Sequence, residues 1–201
     1  MSNYVSLTEL KNTAELIGFS FADYDATQAI NAAEQGIEEY CGRTFYPSAA
    51  TVTRYYAPTE LGYVLVDDLI TAGTVASDAD GDGTFETLWT ANTDYILWPY
   101  NATADGKPFE RLDVNPSSSL RFPARPRSVL VTGQFGWLAT PPQVKEATTI
   151  MATRLLRRAR EAPFGVVGLG IDNAPVRISR VDPDVAWLLD SLIRGQGILA
   201  A

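Results

Sequence analysis

Residues 129–158 read VLVTGQFGWLATPPQVKEATTIMATRLLRR, and two periodicities meet inside them. The first nine are rich in β-branched and aromatic residues and read as a strand. After Pro141-Pro142 the apolar residues recur at helical spacing, with Val144, Ala147, Thr148, Met151, Leu155 and Ala159 on one stripe down to Pro163. Pro142 suits the first helical turn, where its missing N–H costs nothing. A β region therefore ends here and a helical region resumes, which makes the chain α+β rather than alternating α/β.

Upstream, 45–137 is β-textured throughout. Short runs at Thr51–Tyr56, Tyr63–Val66, Thr74–Ala76, Thr84–Trp89, Tyr95–Trp98 and Arg127–Phe135 are separated by Pro, Gly, Asn and Asp. This spacing predicts an antiparallel β subdomain, a small sandwich or barrel, with Trp89, Trp98 and Trp137 as core and rim packing. Before it lie two helices. Ser6 to Gly18 opens on a Ser6–Glu9 capping box, carries Leu7, Leu10, Ala14 and Ile17 on one stripe, and stops at a glycine. The second runs from an N-cap at Asp25 to Gly42, burying Ala29, Ile30, Ala33, Ile37, Tyr40 and Cys41, with Glu34, Glu38 and Glu39 on the opposite side. After the third helix come a glycine-rich segment, PFGVVGLGIDNAPVRI, a short helix from Asp182-Pro183 containing Val185, Trp187, Leu188, Leu189 and Leu192, and the tail GQGILAA. The expected organisation is a helical core of about four helices from 1–44 and 138–201, with the β subdomain 45–137 inserted.

Composition narrows the chemistry. The 201 residues are 46% hydrophobic and 20% charged, as expected of a folded domain. No apolar run approaches the ~20 residues of a membrane helix, so no membrane partner is expected. MSNYVSLTEL has neither a basic start nor an apolar core, so no secretion is expected either. The chain contains no histidine and one cysteine, Cys41. Histidine triads, histidine-ligated zinc and imidazole proton shuttles are thereby excluded, and the lone thiol suits a reducing compartment. No enzyme activity, cofactor or resident metal is expected. The net charge of −8 is unevenly spread: 3 basic and 15 acidic residues in the first hundred, 13 and 9 in the rest. This argues against general nucleic-acid affinity. It fits head-to-tail self-association, unless the two halves interleave on folding.

Four local features ask for chemistry. In SDADGDGTFETLW, residues 77–89, Asp78, Asp80 and Asp82 with Gly83 begin like a calcium loop, but position 12 is Trp89 and Glu86 falls at position 9. A hairpin tip explains the same residues, since Asp-Gly tolerates the positive φ of tight turns; a weak calcium site is the alternative. As surface residues, Asp78 and Asp80 should be replaceable together by Asn at under about 0.5 kcal/mol. Gly165, Gly168 and Gly170 are in the wrong order and place for a nucleotide loop. Asp67-Asp68 reads as a strand-end turn, because adjacent strand residues face opposite sides and cannot converge. Arg154, Arg157, Arg158 and Arg160 crowd the end of the third helix, where the dipole favours one or two cations; four suggest a partner's carboxylates or phosphate.

The strings IEEYCGRTFYP (37–47), VLVTGQFGW leading into PPQVKEATTIMATRLLRR, PFGVVGLG and DPDVAWLLDSLIR resemble the head-tail connector (adaptor) family of long-tailed bacteriophages. The resemblance spans most of the chain and rests on turn and packing motifs; the β insertion departs from the smallest, nearly all-helical members. It implies a structural protein of the virion neck, forming a ring beneath the portal, usually of twelve copies. Such a ring extends the DNA channel without binding the passing genome tightly, and docks the stopper or tail. In a ring each subunit shows different surfaces to its two neighbours. Arg154, Arg157, Arg158 and Arg160 are then candidates for the basic side of the joint, and Glu34, Glu38 and Glu39 for the acidic side. The other reading, from the residues alone, is a calcium-stabilised β-rich binding module using Asp78, Asp80 and Asp82.

Overall fold

The computed structural model describes residues 4–16, 18, 20–58, 60, 62–161 and 183–195. Ile17, the glycine-rich segment, Asp182 and the tail beyond Gly195 lie outside them. The architecture is α+β, with four helices and a six-stranded antiparallel sheet among the described residues. The chain divides into two compact units, Met1–Arg43 with Thr140–Ala201, and Thr44–Ala139.

In the helical unit, α1 (Leu7–Leu16) begins at the expected capping box. The Glu9 N–H donates to Ser6 Oγ at 3.2 Å, and the Ser6 N–H donates to Glu9 Oε2 at 2.7 Å. Together these satisfy two donors that the first turn would otherwise leave without partners. The next helix, α2 (Asp23–Cys41), starts earlier than its sequence suggested. The N-cap is Ala22, with no side-chain cap, and the Ala26 N–H already donates to Ala22 O at 3.0 Å. Asp25 is therefore a first-turn residue, and with Asp23 it complements the positive end of the dipole. At the other end Gly42 sits at φ 66°, ψ 26°, its N–H donating to Glu38 O at 2.8 Å. That is the left-handed cap a glycine provides without steric cost.

Between α2 and α3 (Pro142–Glu161) the contact is built from small residues. Ala26, Ala29, Ile30 and Ala33 form one buried cluster with Ala152 and Leu156, and Val5 and Leu10 complete it. A Cβ on Gly36 would stand 3.1 Å from the Met151 methyl, so the helices approach closely there. The buried row of α3 is Val144, Ala147, Thr148, Ala152 and Leu156; Leu155 and Ala159, expected inside, are exposed. The expected stripe stepped onto the neighbouring i, i+4 row, and the alanines of α2 select the row that fits them. Tyr40, also expected inside, is only half-buried, its hydroxyl donating to Asp190 Oδ1 at 3.0 Å. A fourth helix, α4 (Pro183–Leu189), runs into a 3₁₀ turn, Asp190–Leu192. It buries Val185 and Leu189 and leaves Trp187 77% exposed.

The β unit contains β1 (Val52–Tyr56), β2 (Tyr63–Ser77), β3 (Thr87–Trp89), β4 (Tyr95–Trp98), β5 (Phe109–Val114) and β6 (Val129–Phe135). The strand order is β1-β6-β2-β5-β4, with β3 also on β2. Two expected runs, 63–66 and 74–76, are one 15-residue strand. Its first part pairs with β5 and its second with β6, and the register shifts between Leu65 and Leu69, Leu69 and Thr71, and Ala72 and Thr74. Such extra residues bend a strand. β2 thus carries both halves of the sheet around one core that unites Val64, Val66 and Leu112 with Val75, Trp89, Phe122, Val129 and Val131.

Asp67-Asp68 lies inside β2 and is not a strand-end turn. Neighbours absorb the charges: Asp67 accepts from Arg54 Nη1 at 2.6 Å and from the Tyr56 hydroxyl at 3.2 Å, while buried Asp68 accepts from Trp137 Nε1 at 2.9 Å. They do face opposite partners, as the pleat requires. β5 was not anticipated, because FERLDV carries three charges in six residues. On the strand, Arg111 and Asp113 are two apart and pair with each other at 2.7 Å, while Leu112 fills the core.

β6 alternates strictly between buried and half-buried residues. A Cβ at Gly133 would overlap Thr71 O, and one at Gly136 (φ 101°) would overlap Tyr46 O. Both glycines are therefore demanded by backbone packed against them. Gly133→Ala should cost at least about 2 kcal/mol in denaturant unfolding, because backbone must move to admit the methyl. Gly106→Ala, at φ 65° with open space around it, should cost only about 1 kcal/mol. Equal losses for the two variants would contradict the close approach. In the helical unit, Gly42→Val should cost about 1 kcal/mol or more through its positive φ alone, read from the same unfolding curves.

Candidate functional site

Residues 78–86 connect β2 to β3, whose register is Val75↔Trp89, Ala76↔Leu88 and Ser77↔Thr87. The acidic stretch is the tip of an antiparallel pair, with strands rather than helices on its flanks. Asp78 organises it. Its Oδ1 accepts from the Gly81 N–H at 2.6 Å and its Oδ2 from the Gly83 N–H at 2.9 Å, with both glycines at positive φ. Asp80 accepts from the Asp82 N–H at 3.2 Å and Asp82 from the Thr84 N–H at 2.7 Å. The Gly81 N–H, and secondarily the Gly83 N–H and the nearby Arg125, hold the Asp78 carboxyl below the usual carboxylate range.

The carboxylates that converge are Asp78, Asp80 and Glu86, all within 4.8 Å of one another; the Asp82 carboxylate is not among them and takes the Thr84 N–H. Calcium asks for six to eight oxygens, and here both Asp78 oxygens already serve the loop backbone. Trp89, at the position of the closing glutamate, is in the core, stacked on Phe122 at 4.1 Å and donating through Nε1 to Ser77 Oγ at 2.9 Å. The donor set fits a calcium cage poorly.

The charged candidates for a subunit joint all belong to the helical unit. On α3, Arg157 and Arg158 are exposed and Arg154 half-buried; the Arg160 side chain lies outside the described residues. On α2, Glu39 is exposed, accepting from Gln35 Nε2 at 3.3 Å. Glu34 and Glu38 are not on the far side of the helix as expected. They border the packed face and hold the N-terminal segment: Glu34 Oε1 accepts from the Tyr4 N–H, and Glu38 Oε1 accepts from the Tyr4 hydroxyl at 2.7 Å. Burial pushes the Glu34 carboxyl up, and neighbouring Glu38 adds to the shift. Nothing local in the sequence signals this latch, because Tyr4 and Glu34 are thirty residues apart. Cys41 is buried, and burial pushes its thiol to about 11, far from the reactive range.

A groove of about 660 Å³ opens at the other end of the same helices. It is lined by Ser20, Phe21, Asp25, Ala29 and Ala32 on one side and by Leu155, Leu156 and Ala159 on the other. The sequence reading missed it, since it assigned Leu155 and Ala159 to the core.

No protein-family model matches the sequence, and no curated protein does. Solved structures do share the fold. One is in the neck of an empty gene transfer agent (GTA) particle computed with C6 symmetry, 16% identical, TM-score 0.54, covering 94% of this chain and 88% of that one. Another is in the neck of a native GTA particle computed with C12 symmetry, 15% identical, TM-score 0.52, covering 92% and 86%. At this identity the likeness is one of fold.

Because Asp78 is only 5% exposed and caps two backbone donors, it is not the dispensable surface residue its sequence context suggested. Asp78→Asn should lower the melting temperature by a few degrees, while Asp80→Asn should leave it nearly unchanged. A lowered folded-state pKa makes the Asp78 contribution fully present above the unfolded value of about 3.9, and lost as pH falls through the folded value. The difference between wild type and Asp78→Asn should therefore shrink below about pH 4 in an acid melting series. Excess calcium should change neither protein; a calcium-dependent rise of several degrees that Asp80→Asn abolishes would restore the metal reading.

Proposed function

We propose that this chain is a structural protein of the neck of a tailed-phage-like particle, a head-tail adaptor and not an enzyme. The observation that carries the reading is a shared fold over more than nine-tenths of the chain with proteins from particle necks of sixfold and twelvefold symmetry. In this reading copies assemble in the host cytoplasm into a ring, twelve in the virion, beneath the portal. The ring lengthens the DNA channel, lets the genome slide past without specific binding, and offers its far side to the stopper or tail-completion protein. A net charge of −8 suits a channel wall that must not hold DNA. The connector family resemblance of the sequence strings points the same way.

The joint between copies would set basic Arg154, Arg157, Arg158 and Arg160 against an acidic flank. With Glu34 and Glu38 engaged by Tyr4, exposed Glu39 is the better acidic contact of the three candidates. Single exposed pairs contribute about 0–1 kcal/mol, enough to set register and rate when repeated around a ring, but too little to force free copies together. The alternative, a calcium-stabilised β-rich binding module, draws only on the three converging carboxylates of the β2–β3 tip.

Electron microscopy and mass measurement of the purified protein with its cognate portal test the reading; a protein that stays monomeric and leaves the portal bare contradicts it. Within that assay, reversing Arg157 and Arg158 to Glu should sharply reduce ring formation at low salt, with the defect fading as salt screens the joint. Glu39→Lys should partly rescue it. Normal assembly of the arginine variant at low salt would remove the charged joint.

A further inference from the structure

An aspartate followed by glycine is prone to a spontaneous rearrangement of the backbone, because glycine has no Cβ to shield its nitrogen. That nitrogen attacks the side-chain carbon of the neutral aspartic acid. The amide proton and the carboxyl hydroxyl leave as water, and a five-membered succinimide closes. Water then opens the ring at either carbonyl. One opening returns aspartate; the other gives isoaspartate, whose backbone runs through the side chain and is one methylene longer. One water is lost and one regained, so the mass is unchanged.

The chain has three such bonds, Asp80-Gly81, Asp82-Gly83 and Asp105-Gly106, and all six residues are exposed. By sequence they are equivalent. At the β2–β3 tip both attacking nitrogens are occupied: the Gly81 N–H donates to Asp78 Oδ1 at 2.6 Å and the Gly83 N–H to Asp78 Oδ2 at 2.9 Å. A donor held by a carboxylate is harder to deprotonate, and it must leave a charge-assisted bond before it can attack. The carboxyls are engaged too, Asp80 by the Asp82 N–H at 3.2 Å and Asp82 by the Thr84 N–H at 2.7 Å. Asp78 is itself anchored, buried and with its N–H donating to Ser128 O at 2.9 Å. The Gly81 N–H above all holds its carboxyl below the usual carboxylate range, so the clamp stays ionised at the mildly acidic pH that favours ring closure.

The connection from β4 to β5 has no such clamp. The Gly106 N–H reaches Thr103 O at 3.4 Å, a long and weak bond. The Asp105 carboxyl has no hydrogen-bond or ion-pair partner among the described residues. Gly106 stands at φ 65°, with nothing within 4 Å of the place a Cβ would take, so the approach to its nitrogen is open.

We propose that Asp105-Gly106 is the site of spontaneous isoaspartate formation in the folded protein, and that Asp78 shields Asp80 and Asp82 from the same reaction. Because a hydrogen bond to a charged acceptor must break before either tip nitrogen attacks, the tip bonds convert at least about tenfold more slowly than Asp105. The shield also protects the turn itself, since a methylene inserted at 80 or 82 would pull the glycine donors off the Asp78 oxygens.

The test ages the whole protein at mildly acidic pH, below its melting temperature, beside a sample kept in denaturant. Chymotryptic peptides separate the tip from residue 105, and electron-based fragmentation distinguishes isoaspartate from aspartate in each. In denaturant the three bonds should convert at comparable rates. In the folded protein Asp105 should convert and the tip should lag at least about tenfold. Gly106→Ala should remove the signal at 105 and leave the tip unchanged. Asp78→Asn retains one acceptor oxygen, so one glycine N–H is released and conversion at the tip should rise several-fold; a melting curve of the same sample shows that the variant is folded. Equal conversion of all three bonds in the folded protein, or a folded protein in which none converts while the denatured chain does, would overturn the proposal. A tip whose rate Asp78→Asn leaves unchanged would remove the shielding role.

Discussion

The β unit depends on a backbone-to-backbone approach in which Thr71 O occupies the place a side chain at 133 would need. That approach is possible because β2 carries surplus residues against both partners, so it bends instead of running flat. The bend lets one strand belong to two halves of a sheet and close both over a single core. Buried Asp68 follows from the same geometry. Its backbone carbonyl accepts from the Gly136 N–H at 2.7 Å and its carboxylate from the Trp137 indole at 2.9 Å, so the end of β6 is pinned to the middle of β2. Without the bulges, a carboxylate at the centre of a strand would be a buried charge without a purpose.

The helical unit obeys a different constraint, that of close helix approach through small side chains. Alanines on α2 and Gly36 let α3 come near, and this proximity decides which row of α3 is inside. What remains outside is as informative as the core. Leu155 and Ala159 become groove wall and Trp187 becomes a protrusion, so the unit ends with unsatisfied apolar surface at two separate places. An apolar surface that packing leaves behind is where a partner gains most. Charge is mixed at both ends of the α2–α3 pair: Arg157 and Arg158 share one with Asp23 and Asp25, and Glu39 and Asp190 share the other with Arg194.

The acidic β2–β3 tip shows how similar residues serve different purposes. Alternate aspartates and glycines are what a calcium loop needs, and also what a tight turn needs, because both require oxygen acceptors beside backbone at positive φ. Here the acceptors take backbone N–H groups of the loop itself, and Arg125 supplies the nearby positive charge.

Helix limits set by caps, the α+β order, the hairpin at Asp78 and the lack of histidine chemistry were legible in the sequence. Each depends on residues within a few positions of one another: the Ser6–Glu9 box, the Gly42 cap, the Asp-Gly turn. The tertiary structure decided the rest. β5 could not be read, because what lets FERLDV run as a strand is Arg111 held between Asp113 and the Trp98 ring, 4.5 Å away. β2 looked like two strands and a turn, because the groups that make Asp67 and Asp68 tolerable there, among them Arg54, Tyr56 and Trp137, come from elsewhere in the chain. The inner row of α3 and the Tyr4 latch on Glu34 and Glu38 likewise depend on what stands opposite. Local hydrogen bonds and backbone preferences are written into neighbouring residues; whether a charge or an indole ends up buried, paired or protruding depends on partners that only the folded chain brings together.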